Sequence, residues 1–146
     1  MTVGYVLDVA YRHGQPVTHL RTDADVDAFV DLLLDPDLDP RYRAATAYAV
    51  DERTDTEGLK HELLIGVNPA TGRGAVRYTG DEGTWYIAGG DVDPVGAVVF
   101  PYFGVPAEFP ADAEVPVDLV RRALRGLLAG CGARPEADGL VWVETD

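Results

Sequence analysis

Apolar and polar positions follow two different periods along this chain, and turn-forming residues separate them. Between His61 and Gly90 three apolar runs, Leu63–Val67, Ala75–Tyr78 and Thr84–Ile87, are cut by Asn68-Pro69-Ala70-Thr71-Gly72 and by Gly80-Asp81-Glu82-Gly83. Proline and glycine punctuating β-branched and aromatic runs predict an antiparallel meander. Val3–Tyr11 alternates imperfectly and reads as a first strand, closed by the turn His13-Gly14-Gln15-Pro16; Ala44–Val50 reads as a second. Asp51–Lys60 is polar and reads as a loop or hairpin end. Val95–Phe103 is another strand-like run, with Pro101 inside it. Proline cannot donate to a ladder, so that run is an edge strand or bends there. The proline-rich Gly104–Val115 reads as irregular, and Leu140–Val143 as a last strand.

The period changes to 3.6 in two places. Val26, Phe29, Val30 and Leu33 fall on one helical face behind a start signal, Thr22 as cap with Asp23 and Asp25 at the positive end of the dipole. Asp35-Pro36 stops that helix, and Asp35–Arg43 is a loop. Val117, Val120, Leu124, Leu127 and Leu128 form a second stripe, led by Pro116 and Asp118 and ended by Gly130, Gly132 and Pro135. Arg121, Arg122 and Arg125 take the opposite face. This order predicts an α+β fold: a mostly antiparallel sheet of about six strands with two helices packed on one face. With 146 residues and no linker or repeat, the chain reads as one domain over 1–146.

Composition changes the picture mainly through charge. The 25 acidic residues outnumber 12 basic ones, for a formal net charge of −13. Such a chain is repelled by phosphate backbones and anionic membranes and attracted to basic partners, although acidity also serves plain solubility. No direct nucleic-acid or membrane binding is therefore expected, and no apolar run approaches the ~18 residues of a membrane span. Cys131 is the lone cysteine, so no internal disulfide can form, and the N-terminal run lacks the basic start of a signal peptide. Both fit a cytoplasmic protein. Lys60 is the sole lysine, and the bias to Arg, Ala, Gly, Val and Asp fits a high-GC, actinobacterial genome.

Catalytic patterns are missing. There is no serine in the chain. His13, His19 and His61 share no metal-ligand spacing, and His61-Glu62 is not continued into HExxH. His61 reads as a strand-entry residue, and Cys131 as a small residue at a helix end. The glycines around Arg73 and Asp81 form turns, because strands follow them where a phosphate cradle needs a helix. Asp81 and Glu82 could pair as carboxylates, or join Asp91 and Asp93 around calcium, but hairpin-tip acids are more commonly just solvated. No metal and no cofactor are expected. Period two sends Trp85 and Tyr86 to opposite faces of one strand, one inward. An exposed ring beside Asp81 and Glu82 suits an Arg- or Lys-rich partner.

The strings Leu63-Leu64-Ile65-Gly66-Val67-Asn68-Pro69, Gly72-Arg73-Gly74-Ala75-Val76-Arg77-Tyr78, Gly80-Asp81 and Thr84-Trp85-Tyr86 resemble the central pattern of the immunity protein one family. The block Phe109–Pro116 running into Val120-Arg121-Arg122-Ala123 resembles it too. The likeness covers about the C-terminal two-thirds of the chain. It implies a non-enzymatic α+β protein of a bacterial polymorphic toxin system, which neutralises a cognate toxin by occluding its active site. It further implies that the toxin is a nucleic-acid deaminase, hence a basic, nucleic-acid-processing domain. The expected toxin-binding residues are Asp81, Glu82, Trp85 and Tyr86 together with Glu108, Asp112 and Glu114, with Asp27 and Asp31 on the first helix as a competing surface. The alternative is an acidic protein-interaction module of the same fold without a toxin partner; a small enzyme or ligand carrier would need a deep pocket of convergent polar groups. Oligomeric state stays open.

Overall fold

A computed structural model of the protein describes residues 5–10, 18–51, 56–57, 61–88, 98–102, 104–110 and 112–145. In chain order its elements are β1 (Tyr5–Ala10), β2 (Thr18–Leu20), α1 (Asp23–Leu34), β3 (Ala44–Asp51), β4 (Thr56–Glu57), β5 (His61–Asn68), β6 (Arg73–Gly80), β7 (Gly83–Ile87), β8 (Val98–Tyr102), β9 (Val105–Phe109), β10 (Val115–Pro116), α2 (Val117–Ala129) and β11 (Trp142–Thr145). The large sheet runs β11-β7-β6-β5-β3-β1-β2, with β10 added to β6 and β4 to β3; β8 and β9 form a separate two-stranded sheet. The architecture is α+β, as the patterning predicts. Among the described residues, β1, β3, β5, β6, β7 and β11 are the large sheet's strands of four or more residues, and β2, β4 and β10 are shorter additions.

Both helices pack on one face of the sheet. Alternate residues of the central strands point at them, including Leu7 and Val9 of β1, Ala45, Ala47 and Ala49 of β3, and Leu63, Ile65 and Val67 of β5. Val26, Phe29, Val30 and Leu33 of α1 and Val120, Ala123, Leu124 and Leu127 of α2 close over them. A second, smaller cluster lies on the other face, where Phe100 and Phe109 of the β8–β9 ribbon cover Ala44, Leu64 and Ala75. Gly66 is required there: a Cβ at that position would lie 2.4 Å from the Phe100 ring.

The helix ends show why these segments fold as they do. Thr22 Oγ1 accepts from the Asp25 N–H at 3.1 Å, and Asp25 returns a bond to the Thr22 N–H at 3.3 Å, a reciprocal capping box. At the other end of α1, buried Arg43 supplies what the last turn lacks. Its guanidinium donates to the carbonyls of Leu33, Asp35 and Leu38 at 2.7, 2.9 and 3.0 Å, placing a cation at the negative end of the helix. α2 ends in a Schellman arrangement, with the Gly132 N–H on Leu127 O and the Cys131 N–H on Leu128 O. Cys131 takes the left-handed position, φ 55°, that glycine usually fills.

Several boundaries differ from the sequence expectation. The segment read as irregular contains β9, which pairs with β8 so that Pro101 faces Pro106. A two-stranded ribbon is all edge, where proline is tolerated, and Gly104 at φ 81° makes the turn. β11 begins two residues later than the expected last strand, and Val117 rather than Pro116 opens α2. The turn 13–16 and residues Val95, Gly96, Ala97 and Phe103 lie outside the described residues.

Candidate binding surface

The strand register assembles a polar row across the face of the sheet that the helices leave free. Starting at the β2 edge, His19 pairs with Asp8, and Asp8 with Tyr48. The Tyr48 hydroxyl donates to Glu62 at 2.8 Å, which pairs with Thr79. Thr79 pairs with Thr84, and Thr84 with Thr145 on the last strand. Neighbours along the row are hydrogen-bonded at His19–Asp8 (2.6 Å) and Thr79–Thr84 (3.2 Å). Every member is at least partly exposed. Burial, with the Glu62 carboxylate beside it, holds the Tyr48 hydroxyl well above its usual range, so it stays a donor.

The next row, Thr46, Leu64, Arg77 and Tyr86, lies where the β8–β9 ribbon begins to cover the sheet. Thr46 meets the Tyr102 hydroxyl at 3.2 Å, and the Arg77 guanidinium sits 6.0 Å from the centre of the Phe109 ring. Two grooves run along this boundary. One, of about 480 Å³, is lined by Tyr48, Glu62, Arg77, Tyr102 and Glu108 among others. The other, of about 490 Å³, is lined by Arg77, Thr79, Thr84, Tyr86 and Glu108 among others. Arg77 and Glu108 belong to both. Neither carries an ion pair among the described residues.

The residues singled out in the sequence divide between two sides. Tyr86 is the inward ring: it is 8% exposed, and its hydroxyl donates to Asp112 at 2.8 Å, a bond that, with burial, raises its pKa. Glu108 is exposed on β9 beside it. Glu114 lies apart, 3.3 Å from the Arg73 guanidinium. Asp81 and Glu82 occupy the exposed β6–β7 tip, without an ion pair among the described residues. Trp85 points to the helix side, where Arg134 stacks on it at 4.9 Å and on Trp142 at 5.8 Å while pairing with Glu136 at 3.0 Å. Asp81, Glu82, Trp85 and Arg134 line a third groove of about 440 Å³ at that rim.

Asp27 and Asp31 are engaged within the molecule. Arg121 bridges both, and Arg125 also reaches Asp27, tying α1 to α2. Desolvation would raise the Asp27 carboxyl, but the two guanidinium groups outweigh it and hold its pKa below 3.8. His61 is a buried strand-entry residue whose Nε2 accepts the Ala49 N–H at 2.8 Å. Asp91 and Asp93 lie outside the described residues. Among the described residues no three His, Cys, Asp or Glu side chains group as metal ligands, and no helix is long and apolar enough to cross a membrane. The polar row was missed in the sequence; its only signal there was polar residues at alternate positions within separate strands.

No curated protein matches the chain. The model of one protein family, described as immunity protein Imm1, matches residues 13–144. In chain order the match runs from β2 into β11 and takes in both helices, with β1 preceding it. The chain belongs to the Imm1 family of immunity proteins.

Proposed function

We propose that the protein binds a cognate toxin domain and neutralises it by covering its active site, without catalysing a reaction itself. The observation that carries this reading is the family match over residues 13–144. A formal charge of −13 supports a basic, nucleic-acid-processing partner, and the resemblance to the family implies that it is a nucleic-acid deaminase. Acidic complementarity speeds encounter, which favours capture of the toxin before it reaches DNA or RNA. The protein acts as one domain in the cytoplasm of the producing cell and needs no metal or cofactor. Of the expected site, Asp81, Glu82 and Glu108 keep exposed carboxylates, Asp81 and Glu82 at the rim and Glu108 beside the free sheet face. Trp85 and Tyr86 serve as the hairpin's packed frame, Asp112 fixes Tyr86, and Glu114 steadies the approach to β10.

The test is co-expression. The toxin domain encoded beside this gene is produced in a susceptible host with and without the protein, and the pair is isolated. Rescue with a stable one-to-one complex is expected. A proven active toxin that still kills, and leaves no complex, would refute the reading.

A further inference from the structure

We propose that the toxin docks on the polar row and its two grooves, inserting arginine or lysine side chains from a single segment beside Glu62 and Glu108. This placement rests on the reading of the chain as a toxin-binding protein. Three surfaces compete; the rim keeps Asp81 and Glu82 exposed, but the rings that would anchor a cation there are already engaged. The helix side is closed, and Asp27 and Asp31 are consumed by Arg121 and Arg125. At the rim, the aromatic platform of Trp85 and Trp142 already holds a cation, Arg134, with its counter-ion Glu136. On the free sheet face Asp8 meets His19, while Glu62 and Glu108 share their grooves with Arg77. Among the described residues Glu62 accepts from the Tyr48 hydroxyl and neither it nor Glu108 has an ion pair.

The chemistry of the grooves fits a cationic side chain. Each offers a carboxylate to a guanidinium or ammonium group, and the first adds the rings of Tyr48 and Tyr102 along its walls. Threonine hydroxyls line the second. Arg77, between the grooves, is the exception in sign. Its guanidinium donates to a carbonyl or carboxylate of the incoming segment and so fixes the register of the cations on either side. A basic segment with one acceptor between two cations satisfies all three groups.

The experiment measures binding of the full-length protein to the neighbouring toxin domain, inactivated at its catalytic residue, with heat denaturation checking that each variant is folded. Glu108→Arg, at an exposed position, should weaken binding at least tenfold, chiefly through slower association. Glu62→Gln keeps an acceptor for Tyr48 and should weaken it about fivefold through lost charge. Glu136→Lys, a matched change at the rim, should alter it less than twofold. A folded Glu108→Arg variant that binds as the wild type does would overturn the placement while leaving the immunity function standing, as would loss confined to Glu136→Lys. A wild-type protein that fails to bind the toxin would overturn both. Sedimentation adds the remaining arm: a wild-type dimer that Glu108→Arg dissolves would assign the face to a second copy and reject the proposal.

Discussion

The two faces of the sheet use the same strands for opposite ends. Leu63 and Ile65 of β5 point into a dry core under two helices, while Glu62 between His61 and Leu63 points into a row of hydroxyls and carboxylates. On the helix side, charge is used to join elements, as Arg121 and Arg125 do with the acids of α1. On the other side, the ribbon β8–β9 covers Ala44, Leu64 and Ala75, and the polar row beyond it stays partly exposed. One face therefore holds the molecule together under two helices, and the other combines a smaller core with a polar row open to solvent. The difference matters because burial stabilises in proportion to the apolar area removed from water, whereas exposed charge contributes little to stability and much to encounter.

The comparison is broken most severely from within the core. Leu63→Ala should cost about 4 kcal/mol, from lost burial plus a cavity, whereas Glu62→Ala one residue away should cost about 1 kcal/mol. Urea unfolding of the two variants measures the contrast; equal losses would contradict it. Arg43 tests whether one residue serves both faces. Besides capping α1, its N–H donates to Pro101 O at 2.8 Å and its carbonyl accepts from the Val67 N–H at 2.9 Å. Arg43→Met leaves three carbonyls short of donors and should cost about 3 kcal/mol. Hydrogen exchange should then show faster opening at the end of α1, and unchanged protection there would refute the capping role.

The smallest effect concerns acid. The folded pKa of Asp27 is depressed below 3.8, so its contribution to stability is complete above that value and is lost as pH falls through the folded pKa. Asp27→Asn should therefore flatten the loss of stability as pH falls below the ordinary aspartate range, while leaving toxin binding at neutral pH intact. An unchanged acid profile would show that the helix–helix bridge contributes nothing.

What the sequence revealed depended on how local the cause is. Both helices were legible because Val26, Phe29, Val30 and Leu33, and later Val120, Leu124 and Leu127, repeat within a few residues. The β5–β7 meander was legible because its turns carry their own signals at Asn68–Gly72 and Gly80–Gly83. β9 was hidden because Pro106 argues against a strand until Pro101 is seen opposite it. Period two separated Trp85 from Tyr86 but could not say which faced inward; the bond from Tyr86 to Asp112, 26 residues away, decides that. Asp27 and Asp31 looked available because their partners on α2 lie 90 or more residues along the chain. The polar row was unreadable for the same reason: it exists only once β2, β1, β3, β5, β6, β7 and β11 are in register.

That register has a consequence for how such a protein can change. Along β5 and β6, Leu63, Ile65, Val76 and Tyr78 lie in the core under the helices, Leu64 and Ala75 lie under the ribbon, and Glu62, Arg77 and Thr79 lie on the open part of the other face. A single-base substitution at a codon such as that of Glu62 or Arg77 can therefore redraw the outer surface while its neighbours in sequence keep the molecule foldable. Surface character and foldability are interleaved residue by residue there, so the open face can change in small steps, each of them still a stable protein.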